Sequence, residues 1–321
     1  MTELATKRRR VCSQGALRTS PPTPCGGQSK HRNCFVPFAV AFLFFFAAPS
    51  IYGASVTPAV DWKDLSDRKL TDTGKAALAV YKDAWQHAET EYFVYHFHDA
   101  KEAETILIHT EVYYHWVKEI FGVAEDPKLF KGKSHIFIFD DKTLWKSFNQ
   151  TTPEKLPGAE AFTNGLELFI YREPFWLEPQ RVLAHEITHL VLHRFVKGEV
   201  PLFLNEGFAE FMATKAVAMK ADGNEFNVRT FQLVPENEFI PLEELVLLKR
   251  YPDTEEKNTI FYRESELLTR FLVLNYQKEK LYELLKETAA GATFEKALKG
   301  IYGVDLKTLV EKFKTYAMTR G

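Results

Sequence analysis

The hydrophobic pattern changes its period near residue 178 of the 321-residue chain. Before that point, three short segments have the pattern of strands, at residues 91–99, 134–141 and 165–171. Two longer segments of the same half carry apolar residues at helical spacing, at residues 71–90 and 101–122. Asn164, which is followed by a glycine, is a turn signal in front of the third strand.

The second half follows the helical period almost throughout. It predicts long helices followed by three short ones, with the long helices at residues 179–196, 204–219 and 259–276. Strands are thus predicted in the first half and mostly helices in the second. This segregation favours an α+β fold over the alternating order of an α/β fold.

The first 54 residues have a different character. Residues 1–34 are strongly basic, and residues 35–54 carry no charge. The dense apolar part, followed by Pro49 and small residues, is typical of a secretory signal. An uncleaved run would be just long enough to cross a bilayer and would attach the protein to the membrane through residues 35–54. Either outcome predicts an exported protein, periplasmic, extracellular or anchored facing outward; the alternative is a buried core helix.

Charge and cysteine content narrow the class of protein. A net charge of −2 gives no general attraction to nucleic acid, so nucleic acid is not an expected partner. The three cysteines, Cys12, Cys25 and Cys34, all precede the apolar run. The exported part would then have no disulfide, and a metal site in it would use His, Asp or Glu.

The segment HEITH carries the most specific chemical pattern. His185 and His189 are four residues apart, so on a helix they lie on one face and can both reach one zinc ion. Glu186 points off that axis, where it can take a proton from water that the metal activates. This is the H-E-x-x-H arrangement, although five residues alone are weak support.

A second segment, LNEGFAEFMA, contains a candidate for the third zinc ligand. Catalytic zinc sites use three protein ligands and keep the fourth position open. The turn KGEVPLF lets the next helix return antiparallel, so that Glu206 in its first turn can face the two histidines. His193 continues the row of His189, and we interpret it as a helix-end histidine rather than a ligand.

HEITH followed by NEGFAEF resembles the gluzincin metallopeptidases, the thermolysin and aminopeptidase-N-like group, and is most similar to bacterial peptidase MA-like domains. The resemblance implies zinc (Zn2+) as cofactor, with His185, His189 and Glu206 as ligands and Glu186 as the catalytic base. It implies a zincin-like fold, in which the active-site helix lies between an N-terminal α/β part with a small mixed sheet and a mostly helical C-terminal part. Phe195 stands where metzincins have a third histidine, so the metzincin pattern is absent.

The same resemblance implies roles for two further residues. Glu210, one turn after Glu206, would accept a hydrogen bond from a ligand histidine; the alternative is a solvated surface glutamate. Tyr262 begins a stretch similar to the one that supplies the oxyanion donor in gluzincin aminopeptidases; the alternative is a core tyrosine.

Three other features give weaker signals. Residues 165–171 are interpreted as the edge strand that holds an extended peptide. The preceding PGAEAFTNG is loosely similar to the amine-gripping stretch of aminopeptidases, but Glu160 is out of register, which disfavours exopeptidase action. His96 and His98 share a face of the first strand and are candidates for a second metal site, although no third ligand is near in sequence.

The sequence therefore predicts an exported zinc metallopeptidase with a peptide or protein substrate. We expect an export segment at residues 1–54, an α/β subdomain at 55–178 and a helical subdomain at 179–321, the last two forming one catalytic domain at 55–321. Two alternatives stay open: a non-catalytic envelope-associated binding or scaffold protein on the same fold, and a zinc amidase acting on cell-wall peptide.

Overall fold

The computed structural model describes residues 59–81, 84–123, 132–152, 159–172, 179–222 and 239–320. The basic segment, the apolar run of residues 35–54 and the three cysteines lie outside these ranges. Within the described ranges, no helix combines the length and the apolar character that a membrane span requires.

Five short strands form one mixed sheet. They are β1 (Gln86–Glu89), β2 (Phe93–Phe97), β3 (Ser134–Phe139), β4 (Ala161–Asn164) and β5 (Glu167–Tyr171), in the spatial order β1-β2-β3-β5-β4. The inner pairs β2–β3 and β3–β5 are parallel, and the outer pairs are antiparallel hairpins. Parallel neighbours need a crossover, which α2 supplies between β2 and β3.

Helices cover both faces of this sheet, and every described element after β5 is a helix. The first half contains α1 (Asp72–Val80), α2 (Ala100–Phe121) and α3 (Lys142–Thr151). The second half contains α4 (Pro179–Phe195), α5 (Leu202–Asp222), α6 (Leu242–Leu245), α7 (Glu255–Asn275), α8 (Glu279–Ala289), α9 (Phe294–Tyr302) and α10 (Leu306–Arg320). The predicted α+β class, with a small mixed sheet followed by a mostly helical part, is confirmed.

Both faces of the sheet are buried, which explains why β3 has no polar face. Ile136 and Ile138 join the large core that α2, α4, α5 and α7 share. Phe137 and Phe139 point the other way, into a second aromatic core beneath α1 and α3. The alternation of period two thus separates two cores rather than a core and solvent.

Two sequence predictions are wrong in this region. The helix predicted over residues 71–90 ends at Val80, and Gln86–Glu89 form β1 instead. Their backbone pairs with β2, with His87 opposite His96, so a tertiary hairpin overrides local helix propensity. Residues 165–171 are not the edge strand, because β5 lies between β3 and β4, which leaves β4 at the edge.

Three buried histidines connect the first three strands. His87 Nδ1 lies 2.8 Å from His96 Nδ1, and His96 Nε2 lies 2.9 Å from His135 Nδ1. The far nitrogen of His135, Nε2, is 4.0 Å from the Asp67 carboxylate. Burial lowers the pKa of all three rings, and that of His135 falls to about 4. The chain of rings is therefore neutral near pH 7.

We expect the metal-free protein to lose stability in mild acid through His135. An unfolded histidine takes up a proton near pH 6.5, whereas folded His135 does so only near pH 4. The unfolded state binds more protons between these values, so the free energy of unfolding falls as the pH is lowered, by about 2 kcal/mol from roughly pH 7 to 5. Denaturant titrations at both pH values should show that His135→Gln loses about 2 kcal/mol less than the wild type. Equal losses in the two proteins would contradict this.

Candidate metal centre

Three side chains converge where α4 lies against α5. His185 and His189 are one turn apart on α4, and their Nε2 atoms are 2.9 Å apart. Glu206, the fifth residue of α5, places Oε2 at 3.5 Å from His185 Nε2 and 3.7 Å from His189 Nε2. In the described part of the chain, this is the group whose ligand atoms lie close enough to hold one metal ion.

The donor set fits zinc. Two imidazole nitrogens and one carboxylate oxygen are a known catalytic set that leaves one position open. Ligand atoms at zinc bonding distance in a tetrahedron lie roughly 3.3 Å apart, and the three separations of 2.9, 3.5 and 3.7 Å bracket that value. The side chains of His185, His189 and Glu206 are 15%, 14% and 4% exposed, so the centre is largely buried and keeps some access to solvent.

Each of the two converging histidines is held through its other ring nitrogen. His185 Nδ1 is 3.1 Å from Glu210 Oε1, and His189 Nδ1 is 3.1 Å from Asn205 Oδ1. An acceptor at Nδ1 favours the tautomer with its proton there, which leaves the Nε2 lone pair directed at the shared centre. Asn205 was missed by the sequence reasoning, although it stands beside Glu206 in the N-E-G motif.

Glu210 is not a solvated surface side chain. Its carboxylate is 13% exposed and lies between His185 and Arg181. Burial acts to raise its pKa, but the hydrogen bond and charge of His185 and the charge of Arg181 prevail and lower it to about 2. Glu210 is therefore ionised and available as an acceptor at neutral pH.

The charges of the two glutamates and the two histidines also act on one another. Burial acts to lower the pKa of His185, but Glu206 and Glu210 outweigh it and raise the pKa to about 10. Burial acts to raise the pKa of Glu206, and the two histidines lower it below its usual value. The carboxylates thus favour a positive charge at this point, whether carried by a proton or by a cation.

Glu186 is near the three converging groups but is not one of them. The side chain of Thr163, on the edge strand β4, is close enough to act on the Glu186 carboxylate. Burial raises its pKa above the usual value for a glutamate, while the charges of His185 and His189 oppose that rise. A carboxylate whose pKa is raised by burial is a stronger proton acceptor than an exposed one.

Two tyrosines approach the same centre from the α7 side. Tyr262 lies in α7, and its ring stacks on Tyr251 with centroids 6.0 Å apart. The Tyr251 hydroxyl donates a hydrogen bond to Glu206 Oε1 at 2.8 Å. Burial first, and then the negative charge of Glu206, raises the pKa of each phenol, so both hydroxyls stay protonated. Tyr251, in the loop before α7, was missed because a lone loop tyrosine carries no sequence signal.

Comparison with known proteins agrees with this geometry. Residues 135–319, more than half of the chain, match the Peptidase MA superfamily. The chain belongs to the Peptidase MA superfamily. The resemblance noted in the sequence is thereby confirmed, and membership of the superfamily implies the zincin fold and peptide substrates. The matched stretch contains every residue of the candidate centre.

One distant relative within reach of sequence comparison is the uncharacterized protein YhcO of Bacillus subtilis (strain 168). It is 28% identical over 141 residues, which are 42% of this chain and 40% of YhcO. The similarity thus covers less than half of either protein. It supports common ancestry of part of the chain and supplies no activity.

A close helix contact brings α7 to the centre in this Peptidase MA protein. Gly207, directly after Glu206, faces α7, and a Cβ atom there would lie 2.2 Å from the backbone oxygen of Ser265. Only glycine permits this approach without a shift of the backbone. The glycine of the N-E-G motif therefore sets the distance at which the tyrosines of the α7 side stand from the ligands.

The remaining candidates lie elsewhere. His193 is exposed and faces the β4–β5 turn, about one turn beyond His189. Both ring nitrogens of His96 contact other histidines, and His98 pairs with Asp140. His96 and His98 therefore do not converge on a second metal site. The backbone oxygen of Glu160 accepts a hydrogen bond from Tyr171 N, which anchors the start of β4.

Proposed function

We propose that this protein is a zinc-dependent metallopeptidase that hydrolyses peptide bonds. The observation that carries the proposal is the convergence of His185 Nε2, His189 Nε2 and Glu206 Oε2 on one point, with Glu186 beside that point and outside the ligand set. Membership of the Peptidase MA superfamily supports a peptide or protein substrate.

The chemistry divides between the metal and the chain. A zinc ion, when bound, would polarise the substrate carbonyl and lower the pKa of a water molecule at its open position. Glu186 accepts a proton from the attacking water and later delivers it to the leaving amine, for which its raised pKa is suited. Glu210 and Asn205 keep the two imidazole rings in orientation and tautomer.

Tyr262 is the proposed donor to the oxyanion that develops on the carbonyl. Its hydroxyl stays protonated because burial and the surrounding carboxylates raise its pKa. The charges of Glu206, Glu210 and Glu186 all act on it, which places it in the field of the centre. A protonated phenol aimed at a developing negative charge stabilises the transition state more than the ground state.

We propose that an extended substrate binds alongside the edge strand β4 as an additional strand of the sheet. β4 ends the sheet, and its Thr163 is close enough to act on the Glu186 carboxylate, so a peptide added to this edge would run near the proposed base. A peptide that adds to this edge gains main-chain hydrogen bonds without regard to its side chains. This replaces the sequence-based assignment of that role to residues 165–171.

Export is part of the proposal. The basic residues 1–34 followed by the uncharged residues 35–54 support secretion or outward-facing membrane attachment. Residues 55–178 and 179–321 are then the two parts of one exported catalytic domain, because the ligand helices α4 and α5 pack on the sheet and on α7.

Elemental analysis of the full-length protein tests the function. About one zinc per chain is expected in the wild type, and almost none in His185→Ala. His193→Ala, which removes an exposed histidine from the same helix, is the matched control and should keep its zinc. A zinc-loaded protein should then cleave members of a peptide panel. Absence of zinc, even after reconstitution, would contradict the proposal and favour the scaffold hypothesis, and turnover of cell-wall peptide amides alone would favour the amidase.

A further inference from the structure

The two carboxylate oxygens of Glu206 have different partners. Oε2 faces the Nε2 atoms of His185 and His189, at 3.5 and 3.7 Å. Oε1 accepts the hydrogen bond from the Tyr251 hydroxyl at 2.8 Å. One oxygen is thus turned to the candidate metal position and the other is engaged by a tyrosine.

Tyr251 is held for this contact by aromatic packing. Its ring lies edge-on to Phe261 and stacks on Tyr262, each with centroids 6.0 Å away. The residue as a whole is 44% exposed, yet its hydroxyl reaches inward to a carboxylate that is only 4% exposed. A large aromatic residue at the surface whose polar tip is turned into the centre is placed for a specific polar contact, because packing alone would be served equally by Phe.

We propose that Tyr251 is a positioning residue that fixes Glu206 as a one-oxygen ligand, by holding Oε1 away from the metal and leaving Oε2 to bind it. This inference rests on the proposed function. A carboxylate that is free to rotate can present either oxygen or both, and both would crowd the position that substrate and water require. A hydrogen bond to the non-ligating oxygen removes that freedom.

The contact also completes the orientation of all three ligands. Glu210 holds His185, Asn205 holds His189, and Tyr251 holds Glu206. The first two partners come from α5, the helix that carries Glu206 itself. Tyr251 comes from the loop before α7, so the third ligand is oriented from a different element than the other two.

Tyr251→Phe removes the hydroxyl and keeps the ring, and Tyr276→Phe makes the same change at the C-terminal end of α7, where the ring packs on Phe271 and Tyr302. Zinc affinity is measured by competition with a chelator, and cobalt is substituted for zinc to record the visible absorption spectrum. For Tyr251→Phe we expect zinc affinity to fall about tenfold, the lower end for loss of a partner of a ligand, with a shifted cobalt spectrum. Tyr276→Phe should stay within about twofold of the wild type in both readouts.

The possible results distinguish failure of the Tyr251 role from failure of the proposed function. Unchanged affinity and an unchanged cobalt spectrum in Tyr251→Phe, beside a wild type that binds zinc, would overturn the role of Tyr251 alone. So would an equal loss in Tyr276→Phe, or a metal-free Tyr251→Phe whose melting temperature has collapsed, because either points to general packing. A wild type that takes up no zinc would overturn the proposed function and this inference together.

Discussion

Replacement of Glu186 by glutamine is expected to lower kcat for peptide hydrolysis by about a thousandfold, within the usual range for loss of a general base. Glutamine has nearly the same shape and can keep a contact with Thr163 on β4. It cannot accept and return a proton, however. Since Glu186 is not among the three converging ligands, zinc content should remain at the wild-type level.

The comparison needs a matched control for the change from Glu to Gln. Glu199 is exposed in the turn between α4 and α5, and Glu199→Gln should have wild-type activity and zinc content. Activity is measured on a peptide that the wild type cleaves, beside elemental analysis of each protein. Activity of Glu186→Gln within about tenfold of the wild type would assign proton transfer to another group. Loss of zinc in that variant would instead make Glu186 part of the metal set.

The two helices that carry this site could be predicted from the sequence. Their functional residues and their buried residues both recur at the helical spacing of three to four residues. His185 and His189 are one turn apart on α4, and Glu206 and Glu210 are one turn apart on α5. When the two helices pack closely, His185 lies between both glutamates, with one at each ring nitrogen. Spacing at i, i+4 therefore predicted the histidine pair. The role of Glu210 came from the family resemblance, and only the structure shows that its partner is His185.

The first half of the chain was less predictable because tertiary pairing decides it. Residues 86–89 carry His, Ala and Glu, which favour a helix as much as a strand, and they become β1 only by pairing with β2. The missed helix α3 did have a local signal. Asp141 caps it, with its carboxylate accepting hydrogen bonds from the backbone nitrogens of Thr143 and Leu144.

Tyr251 shows where sequence reasoning ends at the site. It precedes a proline in an irregular segment, so neither periodicity nor motif indicates where its hydroxyl points. Its contact with Glu206 depends on the close packing of α5 against α7 at Gly207. Ligands fixed by helical spacing are visible in a sequence, whereas partners that arrive from a loop require the fold.

Substitution of Glu206 by alanine is expected to give the largest loss of zinc affinity, more than about a hundredfold, because a ligand contributes more than the partners that orient it. Burial of the remaining histidines does not compensate, since two imidazoles alone leave the ion with half of its coordination unfilled by protein. Competition with a chelator at fixed pH measures the change.

Glu210→Gln tests whether Glu210, the proposed partner of a ligand, contributes less to zinc affinity than Glu206, the proposed ligand. Glutamine can still accept the hydrogen bond from His185 but no longer carries the charge that Arg181 and His185 share. We expect zinc affinity to fall about tenfold in this variant, well short of the loss in Glu206→Ala. The metal should be retained at full stoichiometry when zinc is in excess. Equal losses in the two variants would mean that the charge of the buried cluster, and not direct ligation by Glu206, determines binding. Unchanged affinity in Glu206→Ala would remove that residue from the ligand set.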